Sequence, residues 1–212
     1  MGKINLGILG SFSGKVGNVV GGKWKGISYM RAKATSVSNP RTDGQMSQRS
    51  KFALVLAILK PITGFIRVGY KKYTTKQTAF NAAMSYILGN AITGAYPDFS
   101  VDMAKVLVSR GSLTGALNGV ATSANGVVTL NWADNSGSGT AAATDKALIV
   151  VLNPVRAESV FDTGGNQRVA TTEDITVPAD WVGESVEVFL GFITEDGKDV
   201  ANSSYLGSVV VA

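Results

Sequence analysis

Histidine and cysteine are both absent from the 212-residue chain. Without histidine there is no Ser-His-Asp triad, no imidazole base and no histidine metal ligand. Without cysteine there is no thiol nucleophile, zinc knuckle, iron–sulfur site or disulfide. The acidic pairs Glu173-Asp174 and Glu195-Asp196 are adjacent in sequence. In a strand their side chains would point to opposite faces, which is unsuited to a shared acid–base site. We therefore expect a protein that is not an enzyme and that takes no cofactor or metal.

Long apolar segments are also absent. The longest apolar run is Phe52 to Leu59, whereas about 20 residues are needed to span a bilayer. The first ten residues are interrupted by glycine and lack the apolar core of a signal peptide. We expect a protein made in the cytoplasm without a signal peptide and without a membrane partner.

The composition is that of a folded protein, with 45% hydrophobic and 17% charged residues. A chain of this length buries a core without disulfides. Charge is distributed unevenly along it: residues 1–80 contain fourteen basic residues and a single acid, Asp43, whereas residues 81–212 contain six basic and fourteen acidic residues. A basic half of this kind can bind a polyanion, or it can bind the acidic half of another copy of the chain.

The first part of the chain combines glycine-rich segments with helical patterns. Short strands are predicted at Val16–Val20 and Trp24–Met30, with a tight turn at Gly21-Gly22. A capping box that begins at Thr42 predicts a helix to Leu59, stopped by Pro61. The apolar face of this helix is expected to contain Phe52, Val55, Leu56 and Leu59. A second helix is predicted from Lys76 to Ala91, with the apolar positions Phe80, Ala83, Met84, Ile87, Leu88 and Ala91. The basic and aromatic segment between the helices, residues 65–73, predicts no particular structure.

From about Ser112 the chain has the pattern of an all-β domain. The predicted strands are Val127–Trp132, Ala147–Leu152, Val169–Val177, Ser185–Ile193 and Tyr205–Val211, separated by glycine-rich turn signals. Strands at this spacing are typical of an immunoglobulin-like or fibronectin-like sandwich. The predicted fold is therefore α+β: residues 1–110 form a basic module of short strands and two helices, and residues 111–212 form an all-β sandwich.

The segment Lys23–Lys33 is the strongest candidate for a binding surface. Strand alternation would place Lys23, Lys25, Ile27, Tyr29, Arg31 and Lys33 on one face. Such a strip can track a phosphate backbone and stack a base on Tyr29. The alternative is a strand that faces solvent or another subunit and whose lysines discourage edge aggregation. The candidate residues for polyanion or subunit contact are Lys23, Lys25, Tyr29, Arg31, Lys33, Arg41, Arg49 and Lys51.

Several motifs along nearly the whole chain carry a family resemblance. They are Gly14-Lys-Val-Gly-Asn-Val-Val-Gly, Trp24-Lys-Gly-Ile, Met30-Arg31, Asn39-Pro-Arg-Thr with Gln45, Gln48-Arg49 and Phe52, Thr78-Ala-Phe-Asn-Ala-Ala-Met, Ile92-Thr-Gly-Ala-Tyr-Pro-Asp, Val186-Glu-Val-Phe-Leu-Gly-Phe and Ser203-Ser-Tyr-Leu-Gly. In these motifs the chain resembles an uncharacterised family from Bacteroidota, domain of unknown function 6266. The Asn-Pro-Arg-Thr segment with its glutamines is also similar to a shorter segment of phage virion proteins.

The resemblance implies a non-enzymatic protein encoded by a phage or prophage. It leaves the role open between a virion component, with other virion proteins as partners, a component of another assembly and a DNA-associated protein. Combined with the opposed charges of the two halves, it favours a structural protein that self-assembles. The alternative is a nucleic-acid-binding protein that uses the basic half on DNA or RNA.

Overall fold

The computed structural model describes residues 3–4, 10–24, 27–36, 39–75 and 77–212. The chain divides into two compact units, Met1–Thr42 and Asp43–Ala212. The described residues form a mixed α+β structure that is mostly β, with three α-helices and several antiparallel sheets. The predicted α+β class is therefore confirmed. The predicted domain boundary at residue 110 remains a prediction.

The first unit contains one antiparallel sheet whose strands follow in chain order: β1 (Lys3–Ile4), β2 (Phe12–Val16), β3 (Val19–Trp24) and β4 (Ile27–Ala32). The chain turns between β2 and β3 at Gly17-Asn18, where Gly17 has a φ of +57°. The predicted turn at Gly21-Gly22 is wrong, because both glycines lie inside β3.

Close approach, rather than a turn, explains the two central glycines. A Cβ atom on Gly21 would lie 2.3 Å from the backbone oxygen of Phe12 and 2.7 Å from its ring. A Cβ atom on Gly22 would lie 2.9 Å from the Tyr29 ring. Because real Cβ atoms do not approach other atoms so closely, the two aromatic rings occupy the space that the glycines leave open.

Three helices open the second unit: α1 (Asp43–Leu59), α2 (Thr63–Gly69) and α3 (Ala79–Asn90). The first predicted helix is confirmed, and α2 lies partly in the segment for which nothing was predicted. The second predicted helix is confirmed from Ala79 rather than Lys76, since Thr78 is its N-cap and accepts a hydrogen bond from the Asn81 backbone N–H (3.1 Å).

Within the described ranges, no single helix is both long and apolar enough to cross a membrane. The helices α1 and α2 taken together reach that length and composition, and the pair is bent by 87°.

The apolar face predicted for α1 is partly wrong. Val55, Ile58 and Leu59 are buried, whereas Phe52 and Leu56 are 49% and 45% exposed. The buried positions follow the spacing i, i+3, i+4, but the run from Phe52 to Leu59 is apolar all round. Its sequence therefore contains no polar residue that would fix which side faces the core.

A hairpin and two larger antiparallel sheets complete the second unit. The hairpin pairs β5 (Ile92–Ala95) with β6 (Asp98–Val101). The three-stranded sheet has the order β11-β8-β7, made of β7 (Leu117–Ala124), β8 (Val127–Ala133) and β11 (Thr172–Thr176). The four-stranded sheet has the order β10-β9-β12-β13, made of β9 (Lys146–Asn153), β10 (Glu158–Asp162), β12 (Ser185–Ile193) and β13 (Ser204–Val210).

The five strands predicted for this region are confirmed, although β11 is shorter than expected because residues 168–170 form a 3-10 turn. Strands β5, β6, β7 and β10 were not predicted. The sequence of β7, LNGVATSA, has few large apolar residues.

The four-stranded sheet is buried on both faces. On one face Leu148, Val150 and Phe189 share a core with the buried residues of the three helices. On the other face Ile149 and Val151 share a second core with the three-stranded sheet. Burial on both sides explains why β9 is an almost continuous apolar run instead of an alternating one.

Candidate polyanion or subunit interface

The acidic residues that the structure describes are candidates for a metal site by residue type alone. Among the described residues, no group of three or more acidic side chains is arranged to hold a metal ion. Glu173 is buried and its neighbour Asp174 is exposed, so the two carboxylates lie on opposite faces of β11, as strand alternation requires. The binding surface predicted at Lys23–Lys33 lies in the sheet of the first unit, over β3 and β4.

The predicted strip is divided between two strands of a hairpin. Gly22 pairs with Tyr29 and Lys23 pairs with Ser28 across β3 and β4. Residues directly opposite in an antiparallel pair share a face, and successive residues alternate. Lys23 therefore lies on the face opposite to Tyr29 and Arg31, and the prediction of a single cationic face is wrong. Because β3 and β4 run antiparallel and Trp24 pairs with Ile27, residues of the two strands do not share a face according to odd or even numbering alone. Lys25 lies outside the described residues.

The strand register defines two faces of this sheet. Lys15 pairs with Val20, and Val20 pairs with Arg31, so one row across three strands carries a cation on each side of a valine. We call the surface that contains Lys15, Val20, Gly22, Ile27, Tyr29 and Arg31 the tyrosine face. The opposite surface, the methionine face, contains Gly14, Val16, Val19, Gly21, Lys23, Ser28, Met30 and Ala32.

Both faces are open. In the described part of residues 10–42, Gly21 is the only buried residue, and every residue of β4 is exposed. Ile27 and Met30 are about two-thirds exposed, at 68% and 70%, and Tyr29 is 46% exposed. An antiparallel sheet normally packs one face on a core, and contiguous apolar side chains left in solvent indicate an interaction surface. This sheet has such side chains on both faces.

The charge of the same unit has one sign. Residues 1–42 contain seven basic residues and no acidic residue. Lys15, Lys23 and Arg31 lie on the sheet, and their side chains are exposed. Lys33 and Arg41 follow β4 and are also exposed. Because the unit has no carboxylate of its own, its positive charge is available to an acidic partner.

The other two predicted contact residues lie in the second unit, on α1. Lys51 places its Nζ atom 4.7 Å from the centre of the Phe99 ring, within cation–π range. Arg49 is exposed and lines an apolar hollow together with Phe52, Leu56 and Met84. Of the eight predicted residues, the structure therefore brings Tyr29 and Arg31 together on the tyrosine face.

Lys15 was not among the predicted contact residues. It joins Arg31 only through the register of three strands, and alternation within one strand carries no information about cross-strand neighbours. The row could be predicted only by knowing in advance that Lys15 of β2 and Arg31 of β4 pair with the same residue of β3.

The second unit contains a surface of opposite charge. Residues 156–198 contain nine acidic and three basic residues. Arg168 is buried, Arg156 pairs with Asp180 and Glu184, and Lys198 pairs with Asp196. Glu158 and Asp162 lie at the two ends of β10, the first strand in the order of the four-stranded sheet, and Asp174 lies in β11, the first strand in the order of the three-stranded sheet. We call Glu158, Asp162 and Asp174 the acidic edge.

The electrostatics of Glu173 indicate that the carboxylates of β10 and β11 are close together. Burial raises the pKa of Glu173, and repulsion from Asp162 and Asp174 raises it further, against a hydrogen bond from the Asn166 backbone N–H (2.7 Å). The charged groups that act on Glu173 are thus both acids. Arg156, just before β10, is paired with Asp180 and Glu184 at 2.7 Å each.

A comparison with protein families gives one match. The model described as a family of unknown function, DUF6266, matches residues 11–207, which cover both the exposed sheet and the acidic edge. No curated protein matches the chain.

Proposed function

Because the chain belongs to DUF6266, a family of unknown function, we propose its role from its surfaces: a non-enzymatic structural protein that self-assembles. The observation that carries this proposal is the sheet of residues 1–42, which is open on both faces and belongs to a unit without acidic residues. Membership in the family agrees with the resemblance in the sequence motifs.

The energetics of this sheet favour a protein partner. Val16, Ile27 and Met30 are more than half exposed, and burying apolar area is favourable by about 25 cal/mol per Å². A partner that covers either face would recover this free energy. A partner with acidic residues would also lower the repulsion among the cations of the unit.

Nucleic-acid binding is the second candidate function, and the tyrosine face favours it. Tyr29 lies on the same face as Arg31 and Lys15. An aromatic ring between cations can stack a base while the cations follow the phosphates of DNA or RNA. The methionine face, with Val16, Val19 and Met30, has no role in such a complex. We therefore rank self-assembly first.

For residues 111–212 we propose an immunoglobulin-like or fibronectin-like sandwich. Among the seven strands β7 to β13, the first, second and fifth form one sheet, and the third, fourth, sixth and seventh form the other. This order supports the proposal, because immunoglobulin-type sandwiches place their third, sixth and seventh strands in one sheet and their first, second and fifth in the other. Copies that bind one another through repeated contacts form a ring, filament or other repeating particle. We propose that this particle is a phage or prophage virion, with other virion proteins as additional partners.

The test is the size of the purified full-length protein, measured by light scattering after size exclusion at low and high salt, with absorbance at 260 and 280 nm and with nuclease treatment. We expect nucleic-acid-free assemblies that dissociate as salt rises. Assemblies that nuclease disperses would favour the second function. A monomer under every condition would contradict self-assembly.

A further inference from the structure

We propose that the tyrosine face of one chain binds the acidic edge of a second copy. The contact joins two different surfaces, so each copy offers one surface to the copy before it and another to the copy after it. Such a heterologous contact closes into a ring or continues as a filament. This inference rests on the proposed self-assembly and names the surfaces that carry it.

The tyrosine face and the acidic edge carry charges of opposite sign. The tyrosine face carries Lys15 and Arg31 in a unit with no acidic residue. Among the described residues, neither Asp162 nor Asp174 of the acidic edge forms an ion pair, whereas Glu158 lies near Arg156. The tyrosine face and the carboxylates of Asp162 and Asp174 thus have opposite charges, which is the condition for electrostatic complementarity between copies.

The charges are spaced similarly on the two surfaces. Lys15 and Arg31 are two strands apart in one row, and at about 4.8 Å per strand their backbones are separated by about 10 Å. Glu158 and Asp162 are four residues apart on one strand, which corresponds to about 13 Å. Lysine and arginine side chains are long and flexible enough to span the difference, so both cations can meet carboxylates at once.

The apolar side chains of the tyrosine face favour a protein over a polyanion. Tyr29 and Ile27 lie on the same face of β4 as Arg31, two and four residues from it, and are 46% and 68% exposed. On the face of β10 that carries Glu158 and Asp162, the apolar neighbour is the half-buried Val160, whereas Phe161 lies on the opposite face and contacts Phe65. A polyanion would leave the acidic edge unused and would be repelled by it, whereas a second copy uses both surfaces.

Complementary charge reversals test the contact. One variant carries Lys15→Glu and Arg31→Glu, and the other carries Asp162→Lys and Asp174→Lys; all four residues are at the surface of their units. The first variant has two acidic surfaces and the second has two basic ones. Copies of one variant alone should therefore repel one another at this contact and remain monomeric under conditions where the wild type assembles. In an equimolar mixture each reversed surface meets an opposite one, so the mixture should assemble with the two variants alternating.

Matched controls separate this contact from a general effect of net charge. Arg67→Glu with Lys71→Glu changes the charge as the first variant does, and Asp98→Lys with Glu195→Lys changes it as the second does; these four residues are exposed and belong to neither surface. We expect the controls to assemble like the wild type. Circular dichroism and melting temperature establish that every variant is folded.

The outcomes distinguish this inference from the proposed function. If the wild type assembles and both reversed variants assemble equally well, the contact is wrong while self-assembly stands. If the folded variants are monomeric alone and also when mixed, these two surfaces do not bind each other. If the wild type is a monomer, or assembles only around nucleic acid that nuclease removes, both proposals are wrong. Restored assembly in the mixture alone supports the contact.

Discussion

Arg168 and Asp145 form an ion pair that is closed off from solvent. The guanidinium donates from Nε (3.2 Å) and Nη2 (3.1 Å) to the same carboxylate oxygen, Oδ2, and the two side chains are 0% and 1% exposed. The guanidinium also donates to Asn135 and lies 3.8 Å from the centre of the Phe192 ring. The Arg168 charge is therefore used inside the second unit and does not neutralise Asp162 or Asp174.

Removing one partner of this pair should destabilise the second unit strongly. Asp145→Ala leaves the buried Arg168 charge without its carboxylate, and breaking a buried pair in this way typically costs about 3–5 kcal/mol. Urea unfolding at a fixed protein concentration measures the loss, because assembly couples to stability. The control is Lys198→Ala, which removes the exposed pair with Asp196 and should change stability by less than about 1 kcal/mol. Equal effects of the two variants would contradict a structural role for the buried pair.

The face of α1 that packs on the core is tested by two leucines in the same helix. Leu59 is fully buried and Leu56 is 45% exposed. Leu59→Ala should lower the free energy of unfolding by about 2–5 kcal/mol, whereas Leu56→Ala should change it by no more than about 0.5 kcal/mol. Urea unfolding of both variants checks the expectation. A large loss for Leu56→Ala would mean that this residue is covered in solution, for example by another copy.

How far the sequence predicts this structure depends on the range of the interactions that decide each feature. Local signals sufficed for α1, whose Thr42 capping pattern and Pro61 mark its two ends, and for β12, which has the predicted bounds. The buried side of α1 was not predictable, because residues 52–59 are all apolar and only the tertiary contacts select a face. The charge arrangement of the sheet was not predictable either, since the row of Lys15 and Arg31 exists only through pairing between strands.

The role of the adjacent glycines Gly21 and Gly22 in β3 also depends on contacts between strands. Two adjacent glycines are a common turn signal, but here each faces an aromatic ring across the sheet. Gly21→Ala would place a Cβ atom 2.3 Å from a backbone oxygen of Phe12, which cannot move without shifting its strand. Gly22→Ala meets only the outer atoms of the Tyr29 ring, which can rotate away. We expect Gly21→Ala to destabilise the sheet by about 1–3 kcal/mol and Gly22→Ala to do so less.

Hydrogen exchange resolved by segment measures this difference. Gly21→Ala should reduce the protection of amides in β2, β3 and β4, while the amides of β9 and β12, in the core of the other unit, keep theirs. The control is Gly44→Ala, where a Cβ atom meets nothing within 4 Å. Unchanged protection of β2–β4 in Gly21→Ala would contradict the close approach of Phe12.

The buried carboxylate of Glu173 should make stability depend on pH in a defined direction. Burial, together with Asp162 and Asp174, raises the pKa of Glu173 above its ordinary value, so the folded state binds the proton more tightly than the unfolded state. The contribution of Glu173 to stability therefore falls as pH rises from the ordinary carboxyl pKa through the raised one.

Glu173→Gln keeps a side-chain oxygen for the Asn166 N–H and removes the charge. We expect this variant to be more stable than the wild type at neutral pH, with a difference that disappears in acid where Glu173 is protonated in both states. Urea titrations of the two proteins from acid to neutral pH measure the difference. A variant that is less stable at neutral pH, or a difference that does not change with pH, would show that the Glu173 carboxylate is not held in an unfavourable charged state.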